Sequence, residues 1–389
     1  MWRHIASNAV TFLIVGLFLL VGLVGLADRQ YRAPGPLADA ICLKVSSGEN
    51  MRGISGDLAT QGAISSQTLF RLGADYSGKA DQLKAGSFVV PAGASMAEIV
   101  DLVTKSGQST CGTEVIYRVG VTKDSVQVRQ FDPASNRYVE QVAFEPGTDP
   151  DPAAYTAAVA EPDTRLSVLV TEGTTVWQVV SALNANPLLG EDLATMPAEG
   201  TLAPDSYAFA KGDTVASLID RMASAQAKIL ADAWANRADG LPYKSPQEAL
   251  IMASIVEKET GVPQERPEVA SVFINRLDKG MKLQTDPSVI YGVTKGQGAL
   301  GRGLRQSELR ANTPYNTYVI DGLPPTPIAN PGRASIEAAL NPAKTNYIFF
   351  VADGTGGHVF SDNLADHNRN VAKWRAIEAQ RGTTDSSGN

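Results

Sequence analysis

The sequence predicts an α+β fold attached to a single N-terminal transmembrane helix. An uncharged apolar run over residues 9–27 predicts that helix. Beyond it, short stretches of alternating polarity, typical of strands, are separated by amphipathic stretches with helical spacing. The segment 245–260 is apolar around most of its circumference, which is typical of a buried helix. With 389 residues, 43% of them hydrophobic, the chain can form two or three domains with buried cores.

Composition argues against several classes of protein. The 34 basic and 41 acidic side chains give a net charge of −7, whereas proteins that bind duplex nucleic acid present a basic face. Two cysteines argue against a disulfide-dense scaffold and against a multi-cysteine metal cluster. The three histidines, His4, His358 and His367, lack the spacing of metal ligands, and no nucleotide-binding motif appears. We therefore predict no metal site and no nucleic-acid partner, and we interpret His358 and His367 as structural.

The apolar run over 9–27 is long enough to cross a lipid bilayer. As a helix at ~1.5 Å per residue it spans ~28 Å, close to the thickness of the hydrocarbon core. A cleaved signal peptide is the alternative, because Gly25–Ala27 has the small residues of a cleavage site. The run exceeds the ~7–15 apolar residues of a signal peptide, which favours an uncleaved anchor. We predict a cytoplasmic tip and transmembrane helix over 1–29, with the rest of the chain outside the cytoplasm.

Composition shifts divide the remainder of the chain. A short linker over 30–40 leads to a compact mixed unit over 42–107. Residues 112–165 contain the alternation and turn residues of β-hairpins, followed by an acidic, proline-rich linker. A second mixed domain covers 166–378. The small polar residues of 379–389 predict a disordered tail.

Cys42 and Cys111 lie at the two ends of the compact unit. Both would lie in an oxidising compartment, where disulfides form and persist. Two interpretations stay open, a disulfide between them or two separate buried thiols.

The segment 245–261 carries the signals of a helix with defined ends. Ser245 is a good N-cap, Pro246 suits the first helical position, and Gly261 supplies a C-terminal stop. Residues 249–256 are apolar on nearly every side, so we expect the helix to be buried.

Glu257 lies on a buried face of this helix, close to its C-terminus. Burial and the helix dipole both disfavour a carboxylate there, so we expect them to raise the pKa of Glu257. A carboxyl group that keeps its proton near neutral pH can act as a general acid. Spacing alone does not exclude Glu259, and the alternative is that both glutamates are solvated at a fraying helix end.

An ordered series of motifs includes this helix and continues beyond it. In chain order they are 253–260 (ASIVEKET), 269–277 (VASVFINRL), 281–292 (MKLQTDPSVIYG), 314–318 (PYNTY), 322–325 (GLPP) and 347–352 (YIFFVA). On these motifs the chain resembles the MltG (YceG-like) family of endolytic murein transglycosylases. The resemblance is strong over residues 166–375.

The resemblance implies an enzyme of the inner membrane whose catalytic domain lies in the periplasm. Such enzymes cut peptidoglycan strands internally, between N-acetylmuramic acid and N-acetylglucosamine, and leave a 1,6-anhydro end without adding water. The family's catalytic glutamate falls on Glu257. Residues 42–107 are similar to the family's LysM-like subdomain, whereas 112–165 resemble an insertion. No cofactor is implied. The implied partners are glycan strands, the bilayer through residues 9–27, and the peptidoglycan synthesis machinery that makes the nascent strands.

Aromatic rings and amides suited to sugars follow the helix. We predict that they line a substrate groove together with one carboxylate: Gln284, Asp286, Tyr291, Tyr315, Asn316 and Tyr318. Asp286 is the nearby candidate for a second catalytic carboxylate, although a turn-forming role before Pro287 is favoured. Two alternatives remain. A hydrolytic muramidase would leave a reducing end, and a non-catalytic peptidoglycan-binding scaffold would cleave nothing.

Overall fold

The computed structural model describes residues 2–105, 109–147 and 150–385. The chain divides into two compact units. Unit 1 comprises Met1–Val115 and Gln127–Arg165, and unit 2 comprises Ile116–Val126 and Leu166–Asn389. Helices and strands both contribute, as the predicted α+β class requires.

The first helix, α1 (Trp2–Arg32), contains the predicted anchor. Its part Thr11–Arg32 is long and apolar enough to cross a membrane. Large apolar side chains along this part, from Phe12 to Leu26, are exposed in the structure.

The segment that follows the anchor differs from the predicted linker over 30–40. Tyr31 and Leu37 are buried in the core of unit 1. The Gly35 N–H donates to the Gly93 carbonyl over 3.0 Å, and the Gly93 N–H donates to the Leu37 carbonyl over 2.8 Å. Side-chain burial and backbone hydrogen bonds therefore fix this segment on unit 1.

Unit 1 is built around a two-stranded sheet and three helices. In chain order they are β1 (Ile41–Val45), α2 (Met51–Thr60), α3 (Gln67–Tyr76), β2 (Gly86–Val90) and α4 (Met96–Thr104). The two strands pair antiparallel, with Leu43 opposite Phe88. The helices have the N-caps that such sequences favour, including a capping box between Ser95 and Glu98. Apolar side chains of all five elements meet in one core.

Three strands and a short helix follow. They are β3 (Thr113–Val119), β4 (Ser125–Asp132), β5 (Arg137–Phe144) and α5 (Ala153–Ala160). The boundary between the units falls within β3 and β4. The helix α5 lies in the stretch that we predicted to be an acidic linker, because its alanine-rich sequence favours a helix between prolines.

Unit 1 is also cross-linked around its small sheet. A disulfide joins Cys42 and Cys111. Lys44 forms an ion pair with Glu161 at 2.6 Å, and the Ser87 hydroxyl donates to Asp163 over 2.6 Å. The chain after α5 is thus held against the strands that carry Lys44 and Ser87.

Unit 2 contains the remaining elements. They are β6 (Arg165–Val170), α6 (Val176–Asn184), β7 (Ser206–Phe209), α7 (Val215–Ala235), α8 (Pro246–Glu259), α9 (Arg266–Asp278), α10 (Asp286–Thr294), α11 (Gln306–Arg310), α12 (Arg333–Leu340), β8 (Phe349–Ala352), β9 (His358–Ser361) and α13 (Leu364–Asp385). The strand β6 belongs to unit 2 from Leu166 onward. The pairs β6–β7 and β8–β9 are antiparallel. The core forms where α8 packs against α7, α9 and α12. The predicted tail over 379–389 begins inside α13, and residues 386–389 lie outside the described part.

Candidate active site

The helix α8 runs through the middle of unit 2. The Ser245 hydroxyl caps its first turn by accepting the Glu248 N–H, and Pro246 takes the first helical position. Residues 249–256 are all buried, as the sequence predicted. Its polar member, Ser254, donates to the Ile251 carbonyl and accepts the Ile328 N–H. The helix is therefore a rigid support for the side chains that follow residue 256.

Glu257 lies at the end of this buried helix, and its side chain is only 6% exposed. Its Oε2 accepts the N–H of Gly332 over 3.0 Å. Gly332 is the N-cap of α12, where the helix dipole is positive. The Arg266 guanidinium lies 4.0 Å from Oε1. The fold therefore places a cation and a helix N-terminus beside this carboxyl group.

A second carboxyl group, that of Glu172, lies beside Glu257. Its Oε2 is 3.6 Å from Arg266 Nη2, and its Oε1 would lie 1.8 Å from a Cβ placed on Gly332. Burial raises the pKa of Glu172 first, and the charge of Glu257 raises it further against the pull of Arg266. The two carboxyl groups thus share Arg266 and Gly332 as neighbours. The sequence offered Asp286 as the nearby candidate for a second carboxylate while favouring a turn-forming role for it, and in the structure the carboxyl group beside Glu257 is that of Glu172.

The turn that carries Glu172 is held against the end of α8. Half-buried Lys258 donates from Nζ to the Gly173 carbonyl over 3.1 Å. The Gly173 N–H donates to the Asn330 carbonyl over 2.9 Å. A Cβ on Gly173 would stand 3.6 Å from Glu257 Cγ, and the residue has a φ of +80° that favours glycine. Burial lowers the pKa of Lys258, whereas neighbouring Glu257 opposes that shift.

Glu259 points into a different environment. Its carboxyl group accepts a short hydrogen bond from the Thr285 hydroxyl. Burial raises the pKa of Glu259, and the charge of Asp286 adds to the rise. Asp286 accepts a hydrogen bond from the Tyr318 hydroxyl over 2.7 Å. Asp286 therefore contacts Tyr318 directly, and its charge acts on Glu259.

Three of the predicted groove residues meet near the start of α10. Gln284 and Asp286 are exposed and lie on either side of buried Thr285. Gln284 has a φ of +49°, uncommon for a residue with a side chain, and its N–H donates to the Thr317 carbonyl. Burial raises the pKa of Tyr318, and its bond to Asp286 raises it further.

Two other predicted residues, Tyr291 and Tyr315, form an aromatic pair with ring centroids 5.0 Å apart. The Tyr291 hydroxyl donates to Glu199 over 3.0 Å. The Tyr315 hydroxyl lies 2.8 Å from the Thr326 hydroxyl. The sixth, Asn316, is fully buried, and its amide donates to three backbone carbonyls of residues 308–311. Asn316 therefore stabilises a loop, and we assign it no substrate contact.

The histidines that we interpreted as structural have protein partners. His358 Nδ1 lies 2.7 Å from Glu265, which also accepts the His358 backbone N–H. His367 stacks on Phe349 with centroids 4.8 Å apart, and burial lowers its pKa. Within the described ranges, no group of three or more candidate ligands is arranged to hold a metal ion.

Unit 2 should lose stability as the pH rises above about 4.5, the ordinary pKa of its glutamates. Burial raises the pKa values of Glu172, Glu199 and Glu259. A carboxyl whose pKa is higher in the folded than in the unfolded state stabilises the fold while protonated. That stabilisation is lost as the pH rises through the folded pKa. We expect the urea midpoint to fall between pH 5 and pH 8, and to fall less in Glu259→Gln.

Tryptophan fluorescence can report this transition, because Trp177, Trp234 and Trp374 all belong to unit 2. The control is Glu378→Gln, which changes an exposed glutamate of α13 and should keep the wild-type slope. Equal pH dependence in the wild type and Glu259→Gln would contradict the prediction.

The chain is similar in sequence to known proteins. The model of the YceG-like family matches residues 143–373, so the match begins inside the stretch predicted as an insertion. The endolytic murein transglycosylase of Bacillus subtilis (strain 168) is 38% identical over 178 residues, 46% of this chain and 48% of that relative. That of Streptococcus pneumoniae serotype 2 is 28% identical over 387 residues, 95% of this chain and 65% of that relative. The chain thus spans between 48% and 65% of these relatives' lengths.

One solved structure is also similar, a yceG-like protein from Listeria monocytogenes. The two chains are 24% identical, with a TM-score of 0.45, over 85% of this chain and 98% of that one.

Proposed function

Because this chain belongs to the YceG-like family, we propose that it is a membrane-anchored endolytic murein transglycosylase. Its substrate is a peptidoglycan strand, cut between N-acetylmuramic acid and N-acetylglucosamine to leave a 1,6-anhydro end. One observation carries the proposal. Glu257 lies in the last turn of a buried helix, with its carboxyl group held by the Gly332 N–H and placed beside Arg266 and Glu172. Its relatives from two bacteria bear the name of this activity.

The chemistry requires one group that first gives and then takes a proton. Protonated Glu257 donates to the glycosidic oxygen, and the C1–O bond breaks with its electron pair passing to that oxygen. The C6 hydroxyl of the same muramoyl residue then bonds to C1. Its proton passes to the Glu257 carboxylate, which restores the acid. No water is consumed, so the two products together have the mass of the substrate.

Glu172 and Arg266 complete the site in this proposal. The Glu172 side chain is 44% exposed, so it is open to the substrate, whereas that of Arg266 is 10% exposed. Arg266 faces both carboxyl groups and offsets their mutual repulsion. Burial raises the pKa of Glu172, and the charge of Glu257 contributes to the rise.

Residues around α10 are suited to hold the strand. Gln284 and Asp286 expose an amide and a carboxylate that match sugar hydroxyl and acetamido groups, and Tyr318 is fixed to Asp286. The Tyr291 and Tyr315 rings add apolar surface, because aromatic side chains combine apolar faces with polar edges. We propose these five side chains as the groove lining.

The anchor helix α1 and unit 1 determine where in the cell the catalytic part of the chain would act. We propose that α1 crosses the inner membrane, that 42–107 form a LysM-like strand-binding subdomain, and that 166–378 act in the periplasm. The segment 112–165 is proposed as an insertion that the disulfide and the Lys44–Glu161 pair hold in place. An enzyme held at the membrane in this way would terminate nascent strands beside the synthesis machinery.

Mass spectrometry of the products tests the activity. The full chain in nanodiscs is incubated with purified peptidoglycan, and we expect internal fragments that end in 1,6-anhydromuramic acid. Fragments with reducing ends, heavier by one water, would support the second candidate, a hydrolytic muramidase. The presence of Glu172 beside Glu257 favours that candidate, because hydrolytic glycosidases use two carboxyl groups. Strand binding without cleavage would contradict both and leave a scaffold.

A further inference from the structure

Two apolar side chains on α3 of unit 1 are exposed. Leu72 is 59% exposed and Tyr76 is 96% exposed. They lie four residues apart, so they are neighbours on one face of the helix. Two other residues of the same helix, Phe70 and Ala74, are buried in the core. Leu72 and Tyr76 together form a small exposed apolar patch on unit 1.

The end of α1 lies directly against this helix. A Cβ placed on Gly73 would stand 2.2 Å from Tyr31 Cε2, so the Tyr31 ring lies on the glycine. Gln30 Nε2 lies 3.5 Å from the Ser65 hydroxyl, just before α3 begins. The helix α3 is therefore placed at the point where α1 enters unit 1.

Helical geometry gives the direction of the exposed pair. With about 100° per residue, Phe70 and Ala74 lie about 60–100° to one side of Gly73. Leu72 and Tyr76 lie about 60–100° to its other side. Because the core fills the first side, the exposed pair lies across Tyr31 from the core.

Along the axis of α1, the contact between Tyr31 and α3 lies at the height of a bilayer surface. The uncharged run of α1 ends at Ala27, and Tyr31 follows four residues later, about 6 Å further along the helix. The headgroup layer on each side of the hydrocarbon is about 5–7 Å deep. Exposed Arg29 places a cation at this level that attracts lipid phosphates, whereas the Arg32 guanidinium is paired with Asp28 at 3.0 Å.

We propose that Leu72 and Tyr76 form a lipid contact that holds unit 1 in the headgroup layer of the bilayer that α1 spans. The occupant of this surface is the membrane itself, since α1 delivers the surface to it. The inference rests on the proposed anchoring of α1 and is independent of the chemistry at Glu257.

Site-specific photo-crosslinking to lipid tests the contact. p-Benzoylphenylalanine replaces Tyr76 in the full-length chain, which is placed in nanodiscs of phosphatidylethanolamine and phosphatidylglycerol and irradiated. The control replaces Val139, an exposed apolar residue of β5 in the same unit. A third variant replaces Leu20 within the apolar run of α1. We expect lipid adducts, counted by peptide mass spectrometry, at 20 and 76 and several-fold fewer at 139.

The three positions separate the outcomes. Adducts at 20 with no excess at 76 over 139 would overturn the lipid contact while the anchor stands. Absence of adducts at both 20 and 76 would overturn the anchor and, with it, the contact. Crosslinks from 76 to a second copy of the chain in place of lipid would also overturn the proposal. The product analysis described above is unaffected by any of these results.

Discussion

Replacing Glu257 by glutamine is expected to reduce strand cleavage by about 10²–10⁴-fold, the contribution typical of a positioned proton donor. Glutamine keeps the size of the side chain and can still accept the Gly332 N–H, so unit 2 should stay folded. It cannot give or take the proton that the reaction needs. The measurement is the initial rate of anhydro-end formation, with folding followed by tryptophan fluorescence.

Glu259→Gln is the matched control for this variant. It lies two residues further on the same helix, where its carboxyl group is held by Thr285. The amide can still accept the Thr285 hydroxyl. We expect Glu259→Gln to retain most of the activity. Retained activity in Glu257→Gln, or loss in Glu259→Gln alone, would move the acid–base role away from Glu257.

Removing the disulfide by replacing Cys42 and Cys111 with alanine should lower the stability of unit 1 by about 4 kcal/mol. The two cysteines are 69 residues apart, and the chain-entropy model gives about this value for a loop of that length. Amide hydrogen exchange in β1 and β2, followed by mass spectrometry, measures the change locally. A single unfolding curve would mix the two units and is less suitable.

Two comparisons make this result specific. Adding a reductant to the wild type should speed exchange in β1 and β2 by the same factor as the double variant. Peptides of α8 and α9, in unit 2, should exchange as before. Unchanged exchange in β1 and β2 would mean that the core of unit 1 and its ion pairs hold it without the cross-link.

Local signals in the sequence predicted α8 and the placement of Glu257 well. The Ser245 cap and Pro246 define the start of that helix, and its apolar circumference identifies it as buried. These features depend on residues within one or two turns of each other. The short helix α5 was missed because Pro152 and Pro162, with nearby acidic residues, have the composition of a linker.

The pairing of Glu172 with Glu257 could not be predicted in the same way. The two residues are 85 positions apart, and they meet only because the turn after β6 packs on the end of α8. Nothing in the residues next to Glu172 in the sequence indicates its partner. Asn316 was predicted to line the groove, but its buried amide group donates to three backbone carbonyls. In both cases the tertiary fold decides the role of the side chain.

The burial of Tyr31 determines how unit 1 can move. A flexible linker over 30–40 would have an r.m.s. end-to-end distance of about 17–20 Å and would let the unit swivel freely. With Tyr31 and Leu37 in its core, unit 1 instead follows every rotation of α1. Its height above the bilayer is then set by helix length rather than by chain entropy. Inserting one residue between Ala27 and Tyr31 would raise unit 1 by about 1.5 Å and turn it by about 100°.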